Sequence, residues 1–231
     1  MSSGATLGVI MLDTQFPRPP GDAGNPLSWP FPSIYETLPA ATPRRVIRRD
    51  LTVDELLPPC IGAVQRLVSR GARLITTSCG FLALYQSALQ RCSPVPAVAS
   101  GLIALPAIQS ALPAGQVAGV ISFDSRELGE RHLRAAGADP RTPIVGVQEG
   151  AELYRVIRDN LTTLDTRRAA QDMRDAAERL RRGTPNLGAV LLECTNMPPY
   201  RALVAKTVRV PVHDILGVVG DAHARLDQPG A

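Results

Sequence analysis

Short apolar runs, each stopped by small or polar residues, alternate along this chain with longer amphipathic stretches. "ITTSCGFLALYQ", residues 75–86, reads as a buried strand that stops at Ser78, Cys79 and Gly80 before a helix begins. "VLLECTNMPPYR", residues 190–201, has the same form, and Tyr85 and Tyr200 keep the same distance from Cys79 and Cys194. Other runs also return in order: "GVIMLDT" (8–14) as "GVISFDS" (119–125), "TPRRVI" (42–47) as "TPIVGV" (142–147), and "VPAV" (95–98) as "VPVH" (210–213). Ordered self-similarity of this kind indicates an internal duplication. Between the runs lie helical patterns such as "TVDELLPPCIGAVQRLVSRG" (52–71) and "DTRRAAQDMRDAAERLRRG" (165–183), each ending at a glycine, Gly71 or Gly183, expected to be left-handed. Strands alternating with helices predict βαβ units. The expected fold is therefore α/β, with two pseudo-symmetric halves over 1–114 and 115–231. Each half is a short, mostly parallel sheet flanked by helices, with a cleft between them and the crossing near "LPAGQ" (112–116).

One segment has no echo. Residues 14–43 are rich in Pro and Gly and hold the only tryptophan, Trp29. A loop this long in a compact domain is usually functional or disordered, and Phe16, Trp29, Phe31 and Tyr35 speak against disorder. An ordered flap over a site is expected, and "DAHARLDQPGA" at the end reads as a helix end and a frayed tail.

Composition narrows the classes. At 231 residues, 45% hydrophobic and 20% charged, the chain can bury a substantial core. The net charge of +4 includes the cluster "RRVIRRD" (44–50), read as a solvated strand end or loop. With 4% aromatic residues and no nucleic-acid-binding motif, nucleic acid is not an expected partner. No apolar run approaches the roughly 20 residues of a membrane span, and the N-terminus lacks the flanks of a secretion signal. A cytoplasmic location with reduced thiols is expected. The cysteines are Cys60, Cys79, Cys92 and Cys194, and the histidines His132, His213 and His223, without the spacing of a zinc site. Cys60 and Cys92 read as small buried hydrophobes.

Cys79 and Cys194 are placed differently. In an open parallel sheet, ligands bind beyond the carboxyl ends of the strands, where Asp13, Thr14, Cys79, Asp124, Ser125 and Cys194 all fall. A cysteine opening a helix meets unpaired N–H groups and the positive end of a dipole, which favour thiolate and suit a substrate carboxylate. Thr77 and Ser78 before the first cysteine, and Thr195 and Asn196 after the second, add hydrogen-bonding groups. Two thiols reaching one small carboxylate from opposite sides suit inversion at the carbon next to it, one removing a proton and the other returning it. Hydrogen-bond donors would stabilise the enediolate-like charge. Neither cysteine has a histidine close in sequence, although His213 could approach in space. Asp124 reads equally as a helix cap, and Glu149 and Asp214 read better as helix-end residues.

"TTSCGF", "LLECTNMPPY" and the N-terminal "GVIMLDT" resemble the motifs of the aspartate/glutamate racemase superfamily, across nearly the whole chain and in the same order. That superfamily includes cofactor-independent amino-acid racemases, hydantoin racemase, maleate isomerase and arylmalonate decarboxylase. The resemblance implies an isomerase, a racemase or epimerase of an amino acid or related small carboxylic acid. It implies no cofactor and no metal, Cys79 and Cys194 as the acid–base pair, and a homodimer as a common state. Asp13, Thr14, Gly80, Phe81, Thr195 and Asn196 match its substrate-binding positions. Where glutamate racemases have Cys-Thr-His this chain has Cys194-Thr195-Asn196, and the segment after Thr14 replaces a Gly-rich turn; both departures point away from glutamate. A decarboxylase or cis-trans isomerase working through a covalent cysteine adduct is the alternative within enzymes, and a non-catalytic small-anion binding protein the alternative outside them.

Overall fold

Residues 5–226 are described in a computed structural model of the chain. The tail expected after Leu226 lies outside the described residues. Strands Thr6–Leu12 (β1), Ser33–Leu38 (β2), Ala72–Thr77 (β3) and Ala97–Val98 (β4) form one parallel sheet in the order β2-β1-β3-β4. Val117–Ser122 (β5), Ile144–Gly146 (β6), Leu187–Leu192 (β7) and Val212–His213 (β8) form a second, also parallel, in the order β6-β5-β7-β8. Duplication extends to fine detail: the register slips at Thr6/Leu7 between β1 and β3, and at Val117/Ala118 between β5 and β7. The helices are Pro43–Val46 (α1), Val53–Ser69 (α2), Gln86–Cys92 (α3), Leu105–Ser110 (α4), Glu130–Ala135 (α5), Glu152–Arg158 (α6), Thr166–Gly183 (α7), Arg201–Val208 (α8) and Ile215–Leu226 (α9). No helix among the described residues is long and apolar enough to cross a membrane.

The central strands are covered on both faces, as parallel sheets require. Every residue of β7 is buried, and in β3 only Arg73 is exposed. The long helices start where their caps dictate. Thr52 and Glu55 form a capping box on α2, and the Asp165 carboxylate accepts from the N–H groups of Arg167 and Arg168 on α7. The glycine opening each "GVI" run marks where these helices press on the sheets. A Cβ at Gly8 would lie 2.9 Å from Ile75 Cδ1 and 3.1 Å from Leu67 Cβ; one at Gly119 would lie 2.8 Å from Leu187 Cδ1 and 3.0 Å from Leu180 Cδ1.

The halves also exchange helices. α4, from the first half of the chain, packs on β5 and β7, while α9, from the second, packs on β3 and β4. Ile215, Val219 and Ala222 of α9 join Leu7, Val9, Leu74 and Val98 in one apolar cluster.

Four expectations change. Residues 14–43 are not wholly loop, because Ser33–Leu38 forms the edge strand β2; its mostly half-buried positions gave only a weak apolar signal. "TPRRVI" is not a strand: Thr42 and Pro43 start the short helix α1, Pro being pre-set for a first helical position, so the counterpart of β6 is β2. Gly71 is left-handed (φ +93°), whereas Gly183 stays within α7. Cys60 is buried as expected, but Cys92, the last residue of α3, is exposed.

Gly119→Ala is expected to lower stability by about 1–3 kcal/mol through overpacking between β5 and α7. A urea titration checks this; an unchanged midpoint would mean that α7 shifts without cost.

Candidate active site

Cys79 leaves β3 in extended conformation (φ −152°, ψ 121°) and heads a 3-10 helix over Gly80–Tyr85. Cys194 lies just beyond the end of β7, ahead of a second 3-10 turn at Pro198–Tyr200. Both thiols are buried, at 6% and 7% exposure, and both line one narrow cleft at the carboxyl ends of the two sheets. The loops that carry them are joined directly: the Thr195 hydroxyl donates to the Ser78 carbonyl at 2.6 Å. Ser78 in turn accepts the Leu12 N–H on its Oγ at 3.0 Å, so the ends of β1, β3 and β7 meet at one point.

Of the residues singled out in the sequence, Thr14, Ser78, Cys79, Gly80, Phe81, Cys194 and Asn196 line the cleft. Thr77 and Thr195 stand behind it. Thr77 Oγ1 donates to the Ala99 carbonyl at 2.7 Å and accepts the Cys79 N–H at 3.3 Å. Asp13 is not in the lining; its carboxylate accepts the Ala40 N–H at 3.2 Å. Asp124 is also elsewhere, bound by Arg126, Arg158 and the Tyr154 hydroxyl. Burial alone would raise its pKa, but hydrogen bonds from Arg126 and Tyr154 hold it down at about 2. Glu149 pairs with Arg126. His213 faces a separate groove with Arg201 and Asp214, and Asp214 caps α9 by accepting the Gly217 N–H at 3.1 Å. Among the described residues no cluster of three or more His, Cys, Asp or Glu is arranged to hold a metal ion.

The segment after β1 reaches the cleft only with its first residues. Trp29 turns away: its indole N–H donates to the Ala23 carbonyl at 3.1 Å, and its ring packs with Phe31 in the cluster under α9. Two residues of this segment that the sequence did not single out enter the site instead. Arg18 lines the cleft, with its guanidinium 4.6 Å over the Phe16 ring. It donates to Asp22 at 2.8 Å and to Thr14 at 2.9 Å. Asp22, 1% exposed, accepts from Asn196 Nδ2 at 2.5 Å, while Asn196 Oδ1 accepts from the Cys194 thiol at 3.3 Å. A chain of polar contacts thus runs from Arg18 to Cys194, and the Ala23 N–H donates to the Thr195 carbonyl at 3.1 Å to fasten the same segment.

Glu193 is the third residue missed. It is fully buried, lines the cleft, and accepts from the Ser122 hydroxyl at 2.8 Å. A charged residue closing the apolar run "VLLE" was its only signal in the sequence. The remaining walls are apolar, chiefly Leu12, Phe16, Ile47, Phe81, Phe123 and Ile157.

In these surroundings the thiols are not thiolates at rest, contrary to the helix-terminus expectation. Burial, reinforced by the negative charge of Glu193, pushes Cys79 up to about 12, against the pull of the Phe81 and Leu82 N–H groups. The same two causes push Cys194 well above its ordinary value, opposed by the Asn196 N–H. Loss of solvation outweighs a few backbone hydrogen bonds in so enclosed a place.

Comparison with known proteins agrees with this architecture. A family model described as Asp/Glu/Hydantoin racemase matches residues 45–219. The chain is 27% identical over 219 residues to a dimethylsulfoniopropionate lyase of Durusdinium sp. clade D, covering 92% of this chain and 72% of that protein. A dimethylsulfoniopropionate lyase of Emiliania huxleyi (strain CCMP1516) is 28% identical over 226 residues, covering 91% of this chain; the chain spans only 64% of that relative's length. Among solved structures, an arylmalonate decarboxylase superimposes with a TM-score of 0.66 at 17% identity, over 98% of this chain and 94% of that one. A glutamate racemase of Bacillus anthracis superimposes with a TM-score of 0.58 at 14% identity, over 97% of this chain and 84% of that one.

Asp22→Ala leaves Arg18 without its buried partner and frees Asn196. The expected cost is about 3 kcal/mol in urea unfolding, with faster proteolytic cleavage between Thr14 and Pro32. Unchanged stability and protection would mean that apolar contacts alone hold the segment.

Proposed function

The chain belongs to the Asp/Glu/hydantoin racemase family, and from that premise we propose that it is an enzyme that moves a proton at the carbon next to a carboxylate, using Cys79 and Cys194 as its acid–base pair. The observation that carries this reading is that equivalent ends of two duplicated sheets each bring one thiol to the same cleft. Arg18, beside the thiols, is the cation that would meet the substrate carboxylate, and its attachment to Asp22 and Thr14 fixes its direction. As the α-proton leaves, charge flows toward that carboxylate, so a cation at this end favours the transition state over the ground state.

The two thiols have unequal surroundings. Cys79, next to the N–H groups of Phe81 and Leu82, is the better placed to become thiolate and take the α-proton. Cys194 has its S–H directed at Asn196 Oδ1, which suits a proton donor. In a racemase or epimerase, Cys194 returns a proton to the opposite face and becomes the thiolate; the charge has then moved from one sulfur to the other. This two-thiol mechanism calls on no cofactor.

A second reading shares the first step. The nearby carboxylate of Asp22 is already engaged by Arg18 and Asn196, which leaves it poorly placed to receive an α-ammonium group. Together with relatives named as dimethylsulfoniopropionate lyases, this favours a substrate without an α-amine and with a leaving group on the β-carbon. After Cys79 takes the α-proton, the carbanion's electron pair forms a C=C bond and the β-substituent departs with its bonding pair. From dimethylsulfoniopropionate the products are acrylate and dimethyl sulfide.

One experiment tests both completions. The protein is incubated in deuterated water with small carboxylic acids, dimethylsulfoniopropionate among them, while the α-proton is followed by NMR and the headspace is sampled for dimethyl sulfide. Exchange with inversion identifies the racemase, and acrylate with dimethyl sulfide the lyase. Cys79→Ser is expected to slow either reaction by roughly 10²–10⁴-fold. The absence of reaction with every acid, or a reaction surviving Cys79→Ser with Cys194→Ser, overturns the proposal.

A further inference from the structure

Glu193 is an expensive residue to place where it is. Its side chain is fully buried, and only Oε2 has partners, the Ser122 hydroxyl at 2.8 Å and the Phe123 N–H at 3.4 Å. Oε1 has no hydrogen-bond partner among the described residues. Leaving an oxygen of a buried carboxyl unpaired is destabilising, so a purely structural role would be better served by an apolar residue. The fold nevertheless makes room for it. A Cβ at Gly80 would collide with the Glu193 carboxyl and carbonyl oxygens, so the glycine after Cys79 is what lets this carboxyl lie against the Cys79 loop. Glu193 is also the residue before Cys194, and it lines the same cleft.

We propose that Glu193 is the proton acceptor for the cleft's thiols: the reactive thiolate forms when the proton of Cys79 Sγ passes to the Glu193 carboxylate. The step is balanced within the site. The S–H bond breaks, an O–H bond forms, and one negative charge moves from carboxylate to sulfur without a proton being lost to water. The inference rests on the thiol chemistry proposed above and adds to it the group that charges the thiol. Glu193 acts through Cys79 and touches no substrate atom in this scheme.

The surroundings leave few competitors for the role. The ionisable groups about Glu193 are Cys79 on the loop after β3 and Cys194 on its own loop, both of which feel its charge. From the segment after β1 come Arg18 and Asp22, which are paired with each other. Asp124, just past the Ser122–Phe123 stretch, is held by Arg126 and Arg158. His132 lies behind the Phe81 ring, edge-on at 5.0 Å, and burial lowers its pKa to about 4, so it is neutral. Cys194 gives its S–H to Asn196, which leaves Cys79 as the thiol that would give its proton to Glu193 in this scheme. Burial lifts the Glu193 carboxyl to about 7, against the pull of Ser122 and Phe123, so near neutrality it can either hold or release a proton.

The test reads the thiol directly and needs no substrate. Alkylation of Cys79 by iodoacetamide is followed from pH 5.5 to 9.5, resolved by peptide mass spectrometry, in the wild-type protein and in Glu193→Gln. The wild-type rate is expected to rise through an inflection near pH 7 and then level off, because the tautomer with thiolate and carboxylic acid has the same proton count as its partner. In Glu193→Gln the inflection disappears: no carboxylate charge builds up to hold the thiol proton, so the rate keeps rising with pH and exceeds the wild-type plateau by about tenfold at pH 8. Ser122→Ala removes a hydrogen bond to the charged carboxyl and is expected to move the inflection to higher pH, which serves if Glu193→Gln does not fold. Superimposable profiles for wild type and the variants overturn the inference. An enzyme active at the α-carbon with no inflection also overturns it while leaving the proposed function standing. An inflection in a protein that exchanges no α-proton supports the inference and counts against the function.

Discussion

The hydrogen bond from Thr195 to the Ser78 carbonyl is the constraint on which the site depends. It joins the residue before one cysteine to the residue after the other, and so couples two sheets that share no strand. Being short and buried, it is costly to break, because either partner left alone would be an unsatisfied polar group away from water. Leu12 adds β1 through Ser78 Oγ, and Ala23 adds the following segment through the Thr195 carbonyl. Both thiols are therefore held relative to one another by backbone and short side chains that have little freedom to drift. The exchange of α4 and α9 between the halves supports the same registration from behind the sheets.

Duplication supplies a nearly symmetric frame, and the loops then make the site unequal. Strand order, register slip and the glycine at the start of each central strand repeat between the halves. What does not repeat is what surrounds each sulfur. Both sulfurs feel Glu193, but the Cys194 thiol donates into a polar chain ending at Arg18, whereas Cys79 faces the N–H groups of Phe81 and Leu82. A symmetric pair of bases would have equal tasks in both directions. An unequal pair has a preferred direction, with proton removal at one sulfur and donation at the other, and this serves an elimination at least as well as an inversion. The apolar walls sharpen the difference, since electrostatic effects of neighbouring groups grow as water is excluded.

The repeated grammar of the sequence made the fold legible. Cysteine, small polar residue and helix recur after an apolar run, and the two sheets follow from that. The strand β2 was hidden because an edge strand with half-buried positions carries a weak pattern, and the Pro-rich residues before it masked the rest. Seven of the singled-out residues line the cleft because strand ends are positions that a sequence can mark. Arg18 and Asp22 could not be marked in that way. Their place depends on the path of an irregular segment that doubles back to Asn196, which no periodicity encodes. Trp29 misled for the same reason: its aromatic character announced burial, and its destination was the cluster under α9.

Glu193 occupies the position where these strands of reasoning meet. An enclosed apolar cleft favours neutral thiols, in line with the upward displacement of both cysteines, yet the proposed proton abstraction from carbon requires a charged sulfur. Many thiol enzymes resolve that conflict with a neighbouring base, often histidine, but here the residue two places after Cys194 is Asn196 and His213 faces another groove. A carboxyl buried beside both thiols is the remaining source of negative charge. Its ordinary acidity would be too strong to accept a proton from sulfur, and desolvation weakens it in the needed direction. The enclosure that makes the thiols poor acids also makes the carboxyl a better base, and burying Glu193 with them keeps the two from being driven further apart.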